Sequence, residues 1–489
     1  MKKLLLVAVV GLMVVASVVL FKTMTVSSGK TETPPASRIV LDKQALAERL
    51  AAAVQFQTIF YEDPALFDEK EFKGFQKFLE RSFPAVHATM QKEIVGDYSL
   101  LYTWKGQDDK AMPILLAAHM DVVPAESGWG KNWRYPPFQG NIADGFIWGR
   151  GTLDDKVSVL GILEATEKLI KEGYVPRRTI YLAFGHDEEV GGKHGAAKIA
   201  ALLQSRGVKL DYVLDEALTI TEGVVPNVSK PVALVGIAEK GCLSIELSVE
   251  GEGGHSSMPP PQTAIGILSS AISKLEQNQF PVRMEGPVKK MFEALSPDMP
   301  VGMKAVFANL WLFKGLVEKK LASAPRTNAL VRTTVAPTIF QAGVKENVLA
   351  TKARAVVNYR LLPGDTIDEV LLKVRKTIND PRVKIVALEG FKSNPSKIAD
   401  PQSEGYRAVQ KAIYQVFPEV TVAPGLVVAA TDSRYYSAIT GNVLHFLPIR
   451  LRADDLRRLH GTDERISLED YSRVVSFYVQ LIRNEGTAQ

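Results

Sequence analysis

The sequence predicts an α/β protein with a mostly parallel sheet, a smaller α+β domain inserted into it, and an apolar helix ahead of both. Helical and strand-like segments alternate over residues 39–237. Over residues 238–392 the strand-like segments instead alternate apolar and polar residues, which is typical of half-exposed strands. The first pattern resumes over residues 393–489. We therefore expect one large domain in two parts, with a small domain between them.

The N-terminal segment has the length and composition of a membrane helix. Lys2 and Lys3 precede residues 4–21, which carry no charge. A helix of this length spans roughly 27 Å, close to the hydrocarbon thickness of a bilayer. The two lysines favour a cytoplasmic N-terminus. A cleaved signal peptide is the alternative, although its apolar region is usually shorter and ends at a small-residue cleavage site.

Both interpretations place the rest of the chain outside the cytoplasm. We assign residues 1–25 to a membrane anchor or signal, and residues 26–38, which are polar and contain proline, to a tether. The body is then anchored at a membrane with its catalytic part in a periplasmic, extracellular or lumenal compartment. Signal cleavage would make it a secreted protein instead.

Composition excludes several classes of function. The net charge is only +5, and lysines and arginines are scattered without a basic run, so we expect no binding to nucleic acid. Cys242 is the single cysteine of the sequence. An intrachain disulfide or a multi-cysteine metal site is therefore impossible, and any metal site must use histidine, aspartate and glutamate.

Acidic residues and histidines gather where the predicted parallel strands end. The carboxyl ends of such strands meet at one edge of the sheet, and ligands bind there. The candidates at this edge are His119, Asp121, Asp154, Asp155, Glu188, Glu189, Asp215, Glu216 and His460. Carboxylates this close repel one another unless cations lie between them. Histidine and carboxylate ligands without cysteine suit Zn²⁺, Co²⁺ or Mn²⁺.

Six short motifs connect these residues to a known family. They are, in order, "HMD", "GRGTLDDK", "DEEVGG", "LDE", "GGHSS" and "LHGTDE". The set resembles the two-zinc metallopeptidases of the aminoacylase, glutamate carboxypeptidase and carboxypeptidase S group, and is most similar to the branch of carboxypeptidase S and the secreted N-acyl-amino-acid hydrolases. The resemblance covers nearly everything after the tether. It implies a zinc-peptidase catalytic domain in two parts, 39–237 and 393–489, and a lid or dimerisation domain over 238–392.

The resemblance also implies a role for each motif residue. Two Zn²⁺ per chain, with Co²⁺ or Mn²⁺ as alternatives, would be held by His119, Asp154, Glu189, Asp215 and His460. Asp154 would bridge the two ions, and its peptide bond to Asp155 would be cis. Glu188 would act as the general base and Asp121 would orient His119. His255, from the lid, would stabilise the oxyanion.

Other positions are expected to recognise the substrate. Arg434 and Arg360 match family positions that meet the free carboxylate, and Asn347 matches a lid residue near the oxyanion. For each of the three, a structural ion pair or turn bond is the alternative. An apolar insertion near residues 285–325 has Phe307, Leu310, Trp311, Phe313 and Val317 on one broad helical face. That face is either the insertion's own core or a wall for a fatty acyl chain.

Together these features predict a dizinc metallohydrolase that cleaves the amide bond beside a free C-terminal carboxylate. Its substrate would be a small peptide or an N-acyl amino acid. A dipeptidase or aminoacylase of the same family is the alternative enzyme. A non-catalytic binding protein on this scaffold is a further alternative, which the complete ligand set and Glu188 argue against. The resemblance makes a homodimer possible.

Overall fold

The computed structural model describes residues 1–26, 39–61, 63–125, 132–225, 227–390 and 392–486. The predicted tether lies outside this part except for Val26. The described helices are α1 (Lys2–Thr25), α2 (Lys43–Val54), α3 (Glu69–Ser82), α4 (Pro84–Thr89), α5 (Lys156–Lys171), α6 (Ala196–Ser205), α7 (Ala264–Gln277), α8 (Gly286–Leu295), α9 (Val301–Ala308), α10 (Leu310–Ala322), α11 (Pro325–Val331), α12 (Ile367–Ile378), α13 (Glu404–Val416) and α14 (Leu468–Gly486).

The strands fall into one large sheet, one smaller sheet and two short ribbons. They are β1 (Gln91–Val95), β2 (Ser99–Trp104), β3 (Ile114–His119), β4 (Asn141–Ala143), β5 (Phe146–Trp148), β6 (Ile180–Gly185), β7 (Val213–Asp215), β8 (Ile220–Glu222), β9 (Val232–Glu239), β10 (Gly241–Glu250), β11 (Gly254–His255), β12 (Thr334–Ala342), β13 (Val348–Leu349), β14 (Lys352–Leu361), β15 (Lys384–Ala387), β16 (Thr421–Val427), β17 (Val443–His445), β18 (Arg450–Arg452) and β19 (Arg465–Ser467). Short 3₁₀ helices cover Glu188–Val190, Ser296–Asp298, Asp432–Ala438 and Leu456–Arg458.

The large sheet has ten strands in the order β1-β2-β6-β3-β7-β17-β9-β8-β18, with β16 paired to β9. Its centre is parallel, because β6, β3, β7 and β17 all run in one direction. The flanks are antiparallel where β1 and β2 form a hairpin and where β9 meets β8 and β17. Strands joined by a short turn must reverse direction, whereas parallel neighbours need a crossover. The prediction of an α/β fold is confirmed. The sheet is mixed, and the predicted parallel arrangement is found at its centre.

Both faces of the central strands are buried, as a parallel sheet requires. Along β3, Ile114 and Leu116 face a core shared with α2, α5 and α14, while Leu115 faces a second core shared with α6. This explains why the strand reads as a continuous apolar run until His119. His119, at the strand end, is therefore the first polar side chain along β3.

The smaller sheet has the order β12-β14-β10-β15 and is antiparallel throughout. Helices α7 and α12 bury their apolar faces against it in a separate core. The half-exposed strands predicted over residues 238–392 correspond to β10, β14 and β15, whereas the edge strand β12 and the ribbon of β11 and β13 were not predicted. β12 was missed because much of it is exposed and lacks a continuous apolar face.

The insertion, helices α8–α11, leaves the smaller sheet after α7 and returns to it at β12. It packs against the large sheet, because its core includes Val232 of β9 and Leu426 of β16. Phe307 stacks on Phe292 with 4.5 Å between ring centroids, and both are buried. Of the predicted apolar face, all members except Trp311 belong to or pack against this core. That outcome matches the expectation of an internal core.

Lys240 lies at the junction of the two sheets, between β9 and β10. Its buried Nζ donates hydrogen bonds to the carbonyl oxygens of Ala329 and Arg332, at 2.9 and 2.8 Å. Burial lowers the pKa of Lys240 to about 7. Lys240, which connects the two sheets, is therefore also hydrogen-bonded to the end of the insertion.

Candidate metal centre and active site

Three adjacent parallel strands bring the predicted residues together. β3 ends at His119, β7 ends at Asp215, and β6 ends just before the 3₁₀ helix Glu188–Val190. Because the strands are neighbours in the order β6-β3-β7, their carboxyl ends lie side by side. The sequence-based expectation of a shared edge therefore corresponds to the observed topology.

Asp154 lies between two histidines. Its Oδ1 is 2.9 Å from Nε2 of His119, and its Oδ2 is 3.0 Å from Nε2 of His460. Each carboxylate oxygen thus faces a different imidazole, which is the arrangement a bridging carboxylate needs. The peptide bond between Asp154 and Asp155 is cis, as the resemblance implied.

Glu189 and Glu216 complete the two sides of this bridge. Oε2 of Glu189 lies 3.2 Å from Nε2 of His460, and Oε1 of Glu216 lies 3.6 Å from Nε2 of His119. Ligand atoms of His119, Asp154 and Glu189 lie within 4.8 Å of one another, and so do those of His119, Asp155 and Glu216. Four of the five predicted ligands therefore lie together.

Asp215, the fifth predicted ligand, is buried beside this cluster with its carboxylate turned elsewhere. Its Oδ2 accepts hydrogen bonds from Oγ1 of Thr431 at 2.8 Å and from the backbone N–H of Ser433 at 3.0 Å. The neighbouring Glu216 instead reaches His119. Successive side chains at a strand end point to opposite sides, so the "LDE" motif alone does not tell which of the two carboxylates faces the ions.

The tautomer of His119 is fixed by Asp121. Nδ1 of His119 donates to the backbone carbonyl of Asp121 at 2.9 Å, which leaves Nε2 as the nitrogen that faces Asp154. The Asp121 carboxylate is 3.4 Å from the same Nδ1 and accepts the backbone N–H groups of Glu188 and Glu189, at 3.1 and 3.0 Å. Asp121 therefore positions a histidine and the start of the 3₁₀ helix at once.

The glycines of "DEEVGG" let this 3₁₀ helix end in a tight space. Gly191 and Gly192 have φ of 109° and 64°, which side-chain-bearing residues rarely adopt. A Cβ on Gly192 would lie 1.9 Å from the buried carboxylate of Asp432. Glu188 and Glu189 are held at the strand edge in part because the chain can turn away sharply after them.

Arg150 and Glu464 form a buried clamp that the sequence did not reveal. The Arg150 guanidinium donates to the Glu464 carboxylate and to the backbone carbonyls of His460 and Gly461. Glu464 also accepts the backbone N–H groups of Gly151 and Leu153, each at 2.8 Å. The clamp ties the loop of Asp154 to the loop of His460. The only sequence signal was that Arg150 and Glu464 belong to the motifs "GRGTLDDK" and "LHGTDE".

His255 and Asn347 lie together on the smaller sheet's short ribbon. β11 pairs with β13 so that His255 is opposite Val348, and Ser256 donates its N–H to the Asn347 carbonyl at 3.1 Å. Both side chains are exposed. Nδ1 of His255 accepts the N–H of Ser257 at 3.1 Å, so the ring proton belongs on Nε2. The structure thus gives His255 a free donor, and the described contacts do not connect it to the metal cluster.

The two candidate arginines differ in their partners. Arg434 lies within the 3₁₀ helix Asp432–Ala438. Its guanidinium donates to the carbonyls of Gly191 and Thr431 and stacks over Tyr435, 4.8 Å from the ring centroid. Arg360 lies on β14, opposite Cys242 of β10. Within the described part of the chain the Arg360 guanidinium has no hydrogen-bond or ion-pair partner. The Arg434 guanidinium thus already binds backbone carbonyls, whereas the Arg360 guanidinium can bind a ligand.

Comparison of the whole chain with known proteins adds to the evidence from the short motifs. Residues 115–484 match the model of peptidase family M20/M25/M40. A Xenopus tropicalis protein named N-fatty-acyl-amino acid synthase/hydrolase PM20D1 is 43% identical over 486 residues, covering 98% of this chain and 94% of that protein. The chain belongs to peptidase family M20. It is therefore a metallopeptidase or amidohydrolase.

Other members of the M20 family extend the comparison. A Dictyostelium discoideum protein named probable carboxypeptidase S-like 2 is 44% identical over 443 residues, covering 90% of this chain and 85% of that protein. The structure of an M20 metallo-carboxypeptidase from Sulfolobus solfataricus superposes with a TM-score of 0.68 at 17% identity, covering 91% of this chain and all of that one. A Bacillus subtilis M20 structure described as a dinuclear metal-binding peptidase gives a TM-score of 0.55 at 14% identity, covering 90% and 98%. The sequence-based assignment to this branch is confirmed.

The donor set fits a metal centre. Tetrahedral ligands at about 2.0 Å from an ion lie about 3.3 Å from one another. The two histidine Nε2 atoms lie 2.9–3.2 Å from carboxylate oxygens of Asp154 and Glu189. Oε1 of Glu189 is buried without a hydrogen-bond partner among the described residues. An unsatisfied buried oxygen is costly, and a cation at this point would satisfy it.

The pKa shifts of the candidate metal centre have two causes, burial and the charges of neighbouring groups. Burial raises the pKa of Glu216 to about 7, and the charge of Asp154 adds to the effect. Hydrogen bonds to Asp154 and Glu189 raise the pKa of His460 to about 10 despite its partial burial. Burial also raises the pKa of Glu188 well above its ordinary value. Burial thus disfavours the charged forms of these carboxylates, whereas the neighbouring carboxylates favour the charged form of His460.

Proposed function

We propose that this M20 enzyme is a dizinc amidohydrolase that cleaves the amide bond beside a free C-terminal carboxylate, in N-acyl amino acids or short peptides. The observation that carries the proposal is the Asp154 carboxylate, with one oxygen toward His119 and the other toward His460. The names of the Xenopus and Dictyostelium relatives support the two substrate classes. Co²⁺ and Mn²⁺ are alternative ions, since the ligand set suits all three.

For the two ions we propose four of the ligands that the family resemblance implies: His119, Asp154, Glu189 and His460. For the remaining position the contacts favour Glu216 over Asp215, because Glu216 faces Nε2 of His119 while Asp215 binds Thr431 and Ser433. When bound, two divalent ions polarise the scissile carbonyl and make water acidic near neutral pH.

Isosteric variants distinguish these two carboxylates. Glu216→Gln should bind one ion fewer per chain by elemental analysis. Asp215→Asn should retain both ions and lower the melting temperature, because it weakens the hydrogen bonds to Thr431 and Ser433. The reverse result would return Asp215 to the ligand set.

The protein's own groups then carry the proton transfers. Glu188 is the proposed base, because it follows the strand end beside the ligands and its raised pKa suits a group that takes and returns a proton. It would remove a proton from water and deliver it to the leaving amine. His255 would donate its Nε2 proton in a hydrogen bond to the oxyanion once the smaller domain closes on the large one.

Recognition of the substrate carboxylate is assigned to Arg360 first and Arg434 second. Arginine binds carboxylates bidentately, and the Arg360 guanidinium is free of partners among the described residues. Arg434 has backbone carbonyls at two of its nitrogens, so its remaining capacity is smaller. Asn347, beside His255 on the ribbon, would assist at the oxyanion.

The location proposed for the enzyme follows from α1. This helix has a mean hydropathy of 3.1 over its apolar window, none of which is buried. We propose an uncleaved anchor that leaves the catalytic body outside the cytoplasm, with secretion after cleavage as the alternative. A homodimer through the smaller domain stays a prediction.

A substrate panel tests the proposal. The purified enzyme should hydrolyse N-acyl amino acids or dipeptides, and it should lose activity with a chelator and regain it with Zn²⁺. Amides of the same substrates, which lack the free carboxylate, should be poor substrates. Arg360→Gln should raise KM for the carboxylate series without changing KM for the amide series. Chelator-resistant turnover, or equal turnover of carboxylates and amides, would contradict the proposal.

A further inference from the structure

The insertion contacts the C-terminal end of α1. Nδ2 of Asn309, a fully buried residue, donates to the Val19 carbonyl at 3.2 Å and lies 3.4 Å from Oγ1 of Thr23. Thr23 is buried by this contact, while nearly all of α1 before Val19 is exposed. Among the described residues, the contact between the body and the candidate membrane helix is therefore in its last turns, at the depth where such a helix leaves the hydrocarbon layer.

Trp311 lies beside this contact. Its Nε1 donates to Oδ1 of the same Asn309 at 3.1 Å, and its ring is 5.8 Å from Nζ of Lys22 on α1. The indole is nevertheless 53% exposed. A tryptophan with a bonded N–H, an open ring face and a lysine nearby is typical of the membrane–water interface.

Trp311 begins an exposed apolar face of α10. At 3.6 residues per turn, Trp311, Leu312 and Leu316 lie within about 140° of the helix circumference. Leu312 is 47% and Leu316 65% exposed. Val317 lies on the opposite side and is buried in the insertion core. The helix thus has one apolar face for the protein and a second with no partner among the described residues.

Charge on this face favours a lipid surface as its partner. Gly315 and Lys319 lie between the apolar residues on the same part of the circumference, and a Cβ at Gly315 would meet nothing within 4 Å. Lys319 and Lys320 are exposed. Apolar side chains flanked by lysines suit a helix lying in the headgroup region, where anionic lipids attract the cations.

We propose that the Trp311–Leu312–Leu316 face of α10 is a membrane-contact surface that inserts into the leaflet from which α1 emerges. Two observations favour lipid as the partner of this face. It is continuous with α1 through Asn309 and Trp311, and lysines surround it. The insertion then anchors the body beside the anchor helix. This inference goes beyond the proposed reaction and does not depend on it.

The test uses the full-length chain in nanodiscs of three parts phosphatidylcholine to one part phosphatidylglycerol. Leu316→Cys is labelled with an environment-sensitive fluorophore, since the native Cys242 is buried. Leu372→Cys is the matched control, because Leu372 is 68% exposed on α12 of the smaller domain. The label at position 316 should emit at shorter wavelength and be quenched severalfold more by acyl-brominated lipid than the label at position 372.

Three results would overturn the proposal. The first is equal, solvent-like emission and quenching at both positions. The second is shielding at position 316 that persists in lipid-free detergent and increases with protein concentration, which would assign the face to a second copy of the chain. The third is a mature chain that lacks α1 by mass spectrometry, because the continuity with α1 would then be lost. The fluorescence is read without substrate, so a failure of the proposed hydrolysis is seen separately.

Discussion

The proposed metal centre and the ribbon of β11 and β13 hold their candidate site residues in opposite ways. His119 is 1% exposed and bonded through both ring nitrogens, and the Arg150–Glu464 clamp fixes the loops of Asp154 and His460. The His255 side chain is exposed, and among the described residues its ring is hydrogen-bonded to Ser257 of the same turn alone. Metal ligands must be preorganised, because ions bind sites of defined geometry. An oxyanion donor on a lid can instead arrive after the substrate.

The largest expected effect is a loss of turnover without a loss of metal, at Glu188 of the proposed metal centre. Glu188→Gln keeps the shape of the side chain but cannot accept the proton of water. We expect kcat to fall by about 10²–10⁴-fold, the usual contribution of a general base, while elemental analysis still gives the wild-type metal content. Near-normal kcat would contradict the assignment of the base, and loss of metal would make Glu188 a ligand.

The next effect addresses the lid. His255→Ala should lower kcat by about 10²–10³-fold, as expected for one oxyanion donor, without changing metal content or melting temperature, because the side chain is exposed. Ser256→Ala is the matched control, since it removes an exposed hydroxyl from the same turn but not the donor. If both variants lose activity equally, the ribbon matters only as structure.

Subunit exchange sharpens this prediction. Mixing inactive His255→Ala with inactive Glu188→Gln protein should restore activity only if the lid histidine is supplied across a dimer.

The clamp should give a smaller effect. Glu464→Gln preserves size but weakens the bonds to Arg150 and to the backbone before Asp154. We expect metal affinity to fall by about 10–100-fold, the usual consequence of disturbing the groups that orient ligands. Titration with a competing chelator measures this, and Glu469→Gln, at an exposed ion pair with Lys43, is the control. Equal affinities in both variants would show that the clamp is not needed to place the ligands.

The smallest effect is a pH dependence of the metal-free protein. The pKa of His460 rises from 6.5 to about 10 on folding, so its charge contributes stability that is complete below pH 6.5 and is lost as pH rises towards 10. The melting temperature of metal-free protein should therefore fall over this window, and His460→Gln should flatten the slope. Since the imidazole is half exposed, solvent screening keeps the effect modest. An identical slope in both proteins would remove His460 as its cause.

The α/β fold could be predicted from the sequence, and candidate residues could be named at the edge of its sheet, because local signals coincide there. Apolar strands end in histidine or carboxylate residues, and six motifs lie in family order. The clamp was not predictable, because Arg150 and Glu464 are 314 residues apart and neither is chemically unusual alone. The choice between Asp215 and Glu216 depends on which way a side chain leaves the end of β7. The packing of the insertion on the large sheet depends on contacts far apart in sequence, such as Phe307 with the core around Leu426.

The path of the insertion changes how the smaller domain can move. The chain passes between the two bodies not only at Lys240 and after β15, but also before α8 and after α11. Lys240 bonds one of these crossings to another through the carbonyls of Ala329 and Arg332. A body attached at several crossings, two of them hydrogen-bonded to each other, has less rotational freedom than a body attached by a single linker. Closure of the smaller domain would therefore bring His255 towards the metal centre over a narrower range of approaches than a single linker would allow.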